Sequence, residues 1–216
     1  MNRSTDESTH SNPLFSLLYD TVTTPFEHRF APHRSYLADN LTGTVLDLGA
    51  GTGALFPYIR ANECTFHALE PDPSMRKRAY RKASELDLSI SIQSARAESL
   101  PYDDETFDVV IASLVFCSIA DPDRALSEIV RVLKPHGEFR FFEHVGADGW
   151  RRSMQRLLSP IWRRVAGNCH LHRETTERFV SHPSLGIIEI ERTNAGIFPT
   201  APMIRGRMYR RPNSVR

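Results

Sequence analysis

Residues Thr44 to Gly53 read T-V-L-D-L-G-A-G-T-G. A short β-branched and aliphatic run (Val45, Leu46, Leu48) is followed by glycines at alternate positions, Gly49, Gly51 and Gly53. The pattern predicts a buried parallel strand that ends in a tight turn and feeds a helix. A glycine turn lets a ligand lie directly on the backbone and takes positive φ at little cost. The free N–H groups of the turn and the following helix favour an anionic or hydrogen-bonding ligand. An ordinary strand–turn–helix without a ligand is the plainer reading, but three spaced glycines weaken packing and need a reason to be there.

Two ligands compete for this turn. Gly49-Ala50-Gly51-Thr52-Gly53-Ala54 satisfies the loose dinucleotide pattern G-x-G-x-x-G/A, a weak signal taken alone. Asp47 stands two residues before the first glycine, where a carboxylate suits an ammonium group and poorly suits a pyrophosphate. The segment D-L-G-A-G-T-G resembles motif I of the class I S-adenosylmethionine-dependent methyltransferases. That resemblance implies that Asp47, Gly49, Ala50, Gly51 and Gly53 cradle the amino-acid end of S-adenosylmethionine.

Further motifs follow at the spacing this reading needs. Cys64 to Glu70 forms a second strand pattern ending in an acid, 17 residues beyond Gly53. An acid at the carboxyl end of a neighbouring strand can accept both ribose hydroxyls. Glu70 and the flanking E-P-D-P-S-M resemble motif II, which implies ribose binding by Glu70 beside Pro71 and packing of Met75 near the adenosine. A-R-A-E-S-L-P-Y, then F-D-V-V, resembles motif III and its following strand, with Ala97 and Glu98 at the adenine-reading positions. Arg96 departs from the Asp frequent in that motif. Ser113 ends the next strand, Phe107 to Ser113, in the crevice where parallel sheets bind ligands. Glu143 and His144 end a fifth strand, Glu138 to Val145, where this fold places acceptor-binding groups, and either is a candidate general base.

The rest of the chain sets bounds. Its 216 residues suffice for one domain with a full core, expected over 13–216 with a disordered tail at 1–12. Residues 13–40 are expected as N-terminal cap helices, with Tyr19 and Asp20 near the ligand. Ala54 to Ala61 is expected as the first crossover helix, and Leu88 to Ser94 as an edge strand. Cys64, Cys117 and Cys169 are too few and scattered for a disulfide framework. No apolar run follows basic residues at the start, so no signal peptide is expected and the cytoplasm is the default compartment. Cys117 reads as a small packing residue. Cys169, His170 and His172 cluster in sequence, but three ligands without a C-x-x-C pair make a thin metal site, and no metal is expected.

The near balance of 27 basic and 26 acidic residues hides an asymmetry. From Trp150 onward there are 13 Arg, no Lys and 4 Glu, which suggests either an anionic partner or pairing with the acidic remainder of the fold. Trp150 to Val165 places apolar residues at helical spacing among arginines, with a kink or restart expected at Pro160. Such a helix can lie on an anionic membrane, close over an apolar acceptor pocket, or simply pack; residues 146–185 are read as an acceptor-side helical insertion. From strand five onward, E-H-V…P-x-W…G…C-x-L-x-R-E-T resembles the animal thiol methyltransferases and related phospholipid and quinone methyltransferases. The resemblances together imply an α/β fold: a Rossmann-like, seven-stranded, mostly parallel sheet with helices on both faces and the last strand antiparallel. They imply methyl transfer to a small, hydrophobic acceptor. A nicotinamide-dependent oxidoreductase and a non-catalytic S-adenosylmethionine-binding protein are the alternatives. No nucleic-acid-binding motif is present.

Overall fold

In the computed structural model, which describes residues 27–60, 63–193 and 195–212, strand β1 (Gly43–Leu48) lies inside a seven-stranded sheet. The other strands are β2 (Cys64–Leu69), β3 (Ser91–Gln93), β4 (Phe107–Ser113), β5 (Leu133–His144), β6 (Leu185–Thr193) and β7 (Met203–Arg210). Their order is β3-β2-β1-β4-β5-β7-β6. Pairing is parallel from β3 to β5, and β7 runs antiparallel to both neighbours. The chain order reverses direction between β1 and β4, so the carboxyl ends of these two strands open the crevice where such sheets take ligands.

The central strands are apolar on both sides because helices cover both faces. Alternation along β1 sends Leu46 and Leu48 to one core and Val45 to the other. The first core receives Ala125, Leu126, Ile129 and Val132 from α3 (Pro122–Val132) and Phe179 from α5 (Thr175–Ser181). Phe179 meets Phe116, Phe139 and Phe141 with ring centroids 4.8, 5.1 and 4.8 Å apart, an edge-on cluster that fixes α5 against the sheet. The second core holds Phe30 and Leu37 of α1 (Glu27–Leu37) and Ala79 and Ala83 of α2 (Pro73–Glu85). Arg140 on β5 donates to the carbonyls of Leu37 (3.2 Å) and Asp39 (2.5 Å), tying the end of α1 to the sheet.

Several expectations are corrected. No regular crossover helix follows the glycine turn: residues 51–55 are turns and only Phe56–Tyr58 forms a single 3₁₀ turn. Positive φ at Gly51 and Gly53 breaks helical geometry through the turn, and extended Ile59 (φ −86°, ψ 136°) ends the 3₁₀ turn. The edge strand expected over Leu88 to Ser94 shortens to Ser91–Gln93, since only those residues find partners on β2. Helix α4 (Gly149–Val165) continues through Pro160 without a restart, and α1 likewise contains Pro32. Tyr19, Asp20 and the first expected cap helix lie outside the described residues. Among the described residues no helix is long and apolar enough to cross a membrane.

The surplus arginines of the last third do pair with the acidic body. Arg210 meets Glu105 at 3.0 Å, Arg192 meets Asp148 at 2.8 Å, and Arg178 meets Asp123. Helix α4 is different. Gln155 and Ser159 are its buried residues, whereas Trp150 and Leu157 are each 70% exposed, with Met154, Ile161 and Val165 on the same outward ridge. The reason is a polar dock: the Gln155 side chain accepts from the Ala147 N–H (2.7 Å) and donates to the Pro199 carbonyl (2.9 Å). Most of the apolar stripe therefore faces outward beside the exposed Arg151 and Arg164, while Leu158 and Trp162 pack inward against Cys117, Cys169 and Leu171.

Candidate active site

The glycine turn sits at the carboxyl end of β1, and its backbone is held from the neighbouring strands. The Ala50 N–H donates to the Leu69 carbonyl at 2.9 Å. Glu70, just past β2, spans the gap: Oε2 accepts from the Gly51 N–H and Oε1 from the Asp72 N–H, both at 2.8 Å. Asp72 then caps α2 by accepting from Ser74 and Met75 N–H at 2.8 and 2.9 Å. Thus the acid read as a ribose acceptor also braces the turn, with further lone pairs on each oxygen for a ligand. Burial raises its pKa, partly offset by those N–H bonds.

Two observations show that the cradle fits S-adenosylmethionine. Asp47 is buried and its Oδ2 has no hydrogen-bond partner, the state expected of a carboxylate awaiting an ammonium group. Burial, reinforced by the nearby charge of Glu70, pushes Asp47 up to about 7, while Arg34 pulls the other way. A Cβ placed on Gly51 would meet nothing within 4 Å, so the turn backs onto open space. At Gly53 the same atom would lie 2.6 Å from the Phe56 ring, so that glycine serves close packing instead.

The other expected contacts are distributed as follows. Pro71 is exposed beside Glu70, and Met75 is buried outside both main cores. Ala97 is buried in the first core, and Glu98 is turned away to accept from the Ala120 and Asp121 N–H groups at 3.0 and 3.2 Å. Arg96 pairs with Glu98 at 3.8 Å, so neither supplies a free side chain by default. Ser113 ends β4 half-buried, followed by Leu114 at φ 59°.

Glu143 is wholly buried, and its Oε1 accepts from the Val115 and Phe116 N–H groups at 2.9 and 3.0 Å. Burial, then the adjacent Cys117, pushes it up to about 8. It holds the loop after β4, and Arg173 clamps the same loop by donating to the Ile119 carbonyl at 2.7 Å and to that of Phe116. Replacing Glu143 by Ala leaves two buried N–H groups without an acceptor and is expected to cost about 2–3 kcal/mol. Glu143→Gln keeps a carbonyl there and should lose less, a difference that urea unfolding of both variants checks.

His144 ends β5 with Nε2 2.9 Å from the Cys169 sulfur, while Nδ1 is buried without a partner. Cys117 joins them, the three candidate ligand atoms lying within 4.8 Å of one another. His170 and His172 take no part: His170 Nδ1 meets Arg173, and burial, then the Arg173 charge, lowers it to about 4. Sequence reading missed this trio and the Arg173 clamp because their members stand more than 20 residues apart and only the fold brings them together.

The crevice at the reversal between β1 and β4 thus brings together the glycine turn, the unpartnered Asp47 and Glu70. Residues 46–141 match the family described as "Methyltransferase domain", and the chain belongs to the class I S-adenosylmethionine-dependent methyltransferases. A thiol S-methyltransferase of Rattus norvegicus is 35% identical over 137 residues, covering 61% of this chain and 56% of the relative. One of Homo sapiens is 30% identical over 170 residues, covering 76% and 69%. A phosphatidylethanolamine N-methyltransferase of Cereibacter sphaeroides is 28% identical over 151 residues, covering 68% and 72%. The solved geranyl diphosphate methyltransferase in complex with GPP and sinefungin shares the fold, with TM-score 0.65 at 13% identity over 83% of this chain and 77% of that one. The chain spans little more than half the length of the rat relative.

Proposed function

We propose that the chain transfers a methyl group from S-adenosylmethionine to the sulfur of a hydrophobic small-molecule thiol, met at an anionic membrane surface. The observation that carries the acceptor class is the likeness, at 30–35% identity, to thiol S-methyltransferases. The outward apolar ridge of α4 between arginines supports the setting, since such a face buries itself in an anionic lipid interface.

When bound, S-adenosylmethionine supplies a methyl group activated by its sulfonium. Asp47 would hold the ammonium group, Glu70 the ribose, and Met75 and Ala97 would flank the adenosine. Ser113 and the loop held by Glu143 and Arg173 would border the acceptor. The work of these residues is positioning and exclusion of water, which together supply several kcal/mol of a transfer barrier. A thiol is partly ionised near neutral pH and needs no dedicated base, whereas an acceptor of higher pKa would draw on Glu143 or His144.

The test is turnover on a panel of alkyl thiols, quinols and aminophospholipids, either free or dissolved in anionic vesicles. Methyl thioether is expected, formed faster from vesicle-borne thiol. Leu157→Glu with Ile161→Glu should lose that vesicle advantage while keeping turnover of the free thiol. Methylated amine with no thioether would overturn the acceptor, and an undiminished vesicle advantage in the double variant would overturn the surface.

A further inference from the structure

We propose that Cys117, His144 and Cys169 form a binding site for one borderline-soft cation of the zinc class. The trio joins three separate parts of the fold: the loop after β4, the end of β5, and the segment that follows α4. All three residues are buried; Cys117 also reaches the Leu114 carbonyl (3.6 Å) and the Ser118 hydroxyl (3.5 Å), whereas His144 Nδ1 is buried with no partner. The donor set decides the metal class. Two sulfurs and an imidazole, with no oxygen among them, select zinc or a soft monovalent copper over magnesium or calcium.

The geometry is close to what such an ion requires. With zinc–sulfur bonds near 2.3 Å and zinc–nitrogen near 2.0 Å, tetrahedral ligand atoms sit roughly 3.5–3.8 Å apart. Here His144 Nε2 and the Cys169 sulfur are 2.9 Å apart, and the widest separation in the trio is within 4.8 Å, so the required spacing falls inside the range present. Rotations of two short side chains bridge the difference. Three protein ligands leave a fourth position to solvent or to another donor.

The surroundings support an ion and give it a structural task. Leu171, Leu158, Trp162 and Ala166 wrap the two sulfurs in apolar side chains, which strengthens any charge interaction inside. Ion binding by the two sulfurs displaces thiol protons to solvent, and affinity therefore rises with pH. The ion would clamp the segment bearing Cys169 onto the carboxyl ends of β4 and β5, beside the glycine cradle. This inference is independent of the acceptor proposed above.

The experiment uses the whole chain, purified reduced and freed of metal with a chelator, then titrated with cobalt(II). One equivalent is expected to give a thiolate-to-cobalt charge-transfer band in the near ultraviolet, bleached by one equivalent of zinc. Zinc alone should raise Tm by several degrees. Cys117→Ser and Cys169→Ser should each weaken the band strongly, whereas Cys64→Ser should leave it intact. Absence of the band in the reduced native chain would overturn the site, as would a band that survives in both Cys117→Ser and Cys169→Ser. A native chain whose Cys117 and Cys169 are isolated as a disulfide under the same reducing conditions would also overturn it.

Discussion

Gly51→Arg is expected to weaken S-adenosylmethionine binding by more than 100-fold while leaving the protein folded. At Gly51 φ is +59°, and a Cβ would meet nothing within 4 Å, so the new side chain enters open space rather than the core. That space lies over the turn between β1 and β2, the place proposed for the cofactor. The left-handed backbone costs a non-glycine residue about 1–2 kcal/mol, a few degrees of Tm in a protein of this size. Gly53→Ala makes the contrasting control: its φ is +82° and its Cβ would lie 2.6 Å from the Phe56 ring, so stability falls with no ligand involved. Calorimetric titration beside thermal unfolding separates the two effects. Unchanged affinity in Gly51→Arg would move the cofactor off this turn.

Asp47→Asn is expected to do opposite things to stability and to binding. Burial, with Glu70 nearby, raises the folded Asp47 to about 7, against an ordinary carboxylate value near 4. Between those values the folded protein keeps a proton that the unfolded chain has lost. The stability from this group is therefore full below pH 4 and is lost as pH rises through 7. Three units at about 1.4 kcal/mol each make the loss about 4 kcal/mol at most. Asparagine carries no charge at any of these pH values, so at pH 8 the ligand-free variant should unfold at a higher temperature than the native chain. Its affinity for S-adenosylmethionine should fall by 10- to 100-fold, since a charge-assisted hydrogen bond of about 1.5–3 kcal/mol is gone. Native affinity should tighten from pH 6 to 7 as the carboxylate ionises, and that tightening should vanish in the variant. Equal stability curves across pH 5 to 8 would show that Asp47 is not held in this state.

The strand–turn rhythm of Thr44 to Gly53 and the acid at the end of β2 were legible because each is a local constraint. A buried parallel strand must be apolar on both sides, and a tight turn over a ligand must lack side chains. For that reason the strands β1, β2 and β4 could be read from residues close together in the chain. The antiparallel β7 was legible only through resemblance, since its own pattern does not state its direction.

Where the apolar stripe of α4 faces could not be read from spacing. The periodicity of Trp150 to Val165 shows that one face differs from the other, and the Gln155 hydrogen bonds to Ala147 and Pro199 decide which one turns inward. The role of Glu143 was hidden likewise, since the N–H donors it accepts from, Val115 and Phe116, lie 28 and 27 residues away. So was the meeting of Cys117, His144 and Cys169. What this chain's sequence determined alone was the strand–glycine-turn framework and the acids set into it, because those depend on neighbours along the backbone. The tertiary structure decided which distant polar groups share a buried volume, because only packing sets those distances.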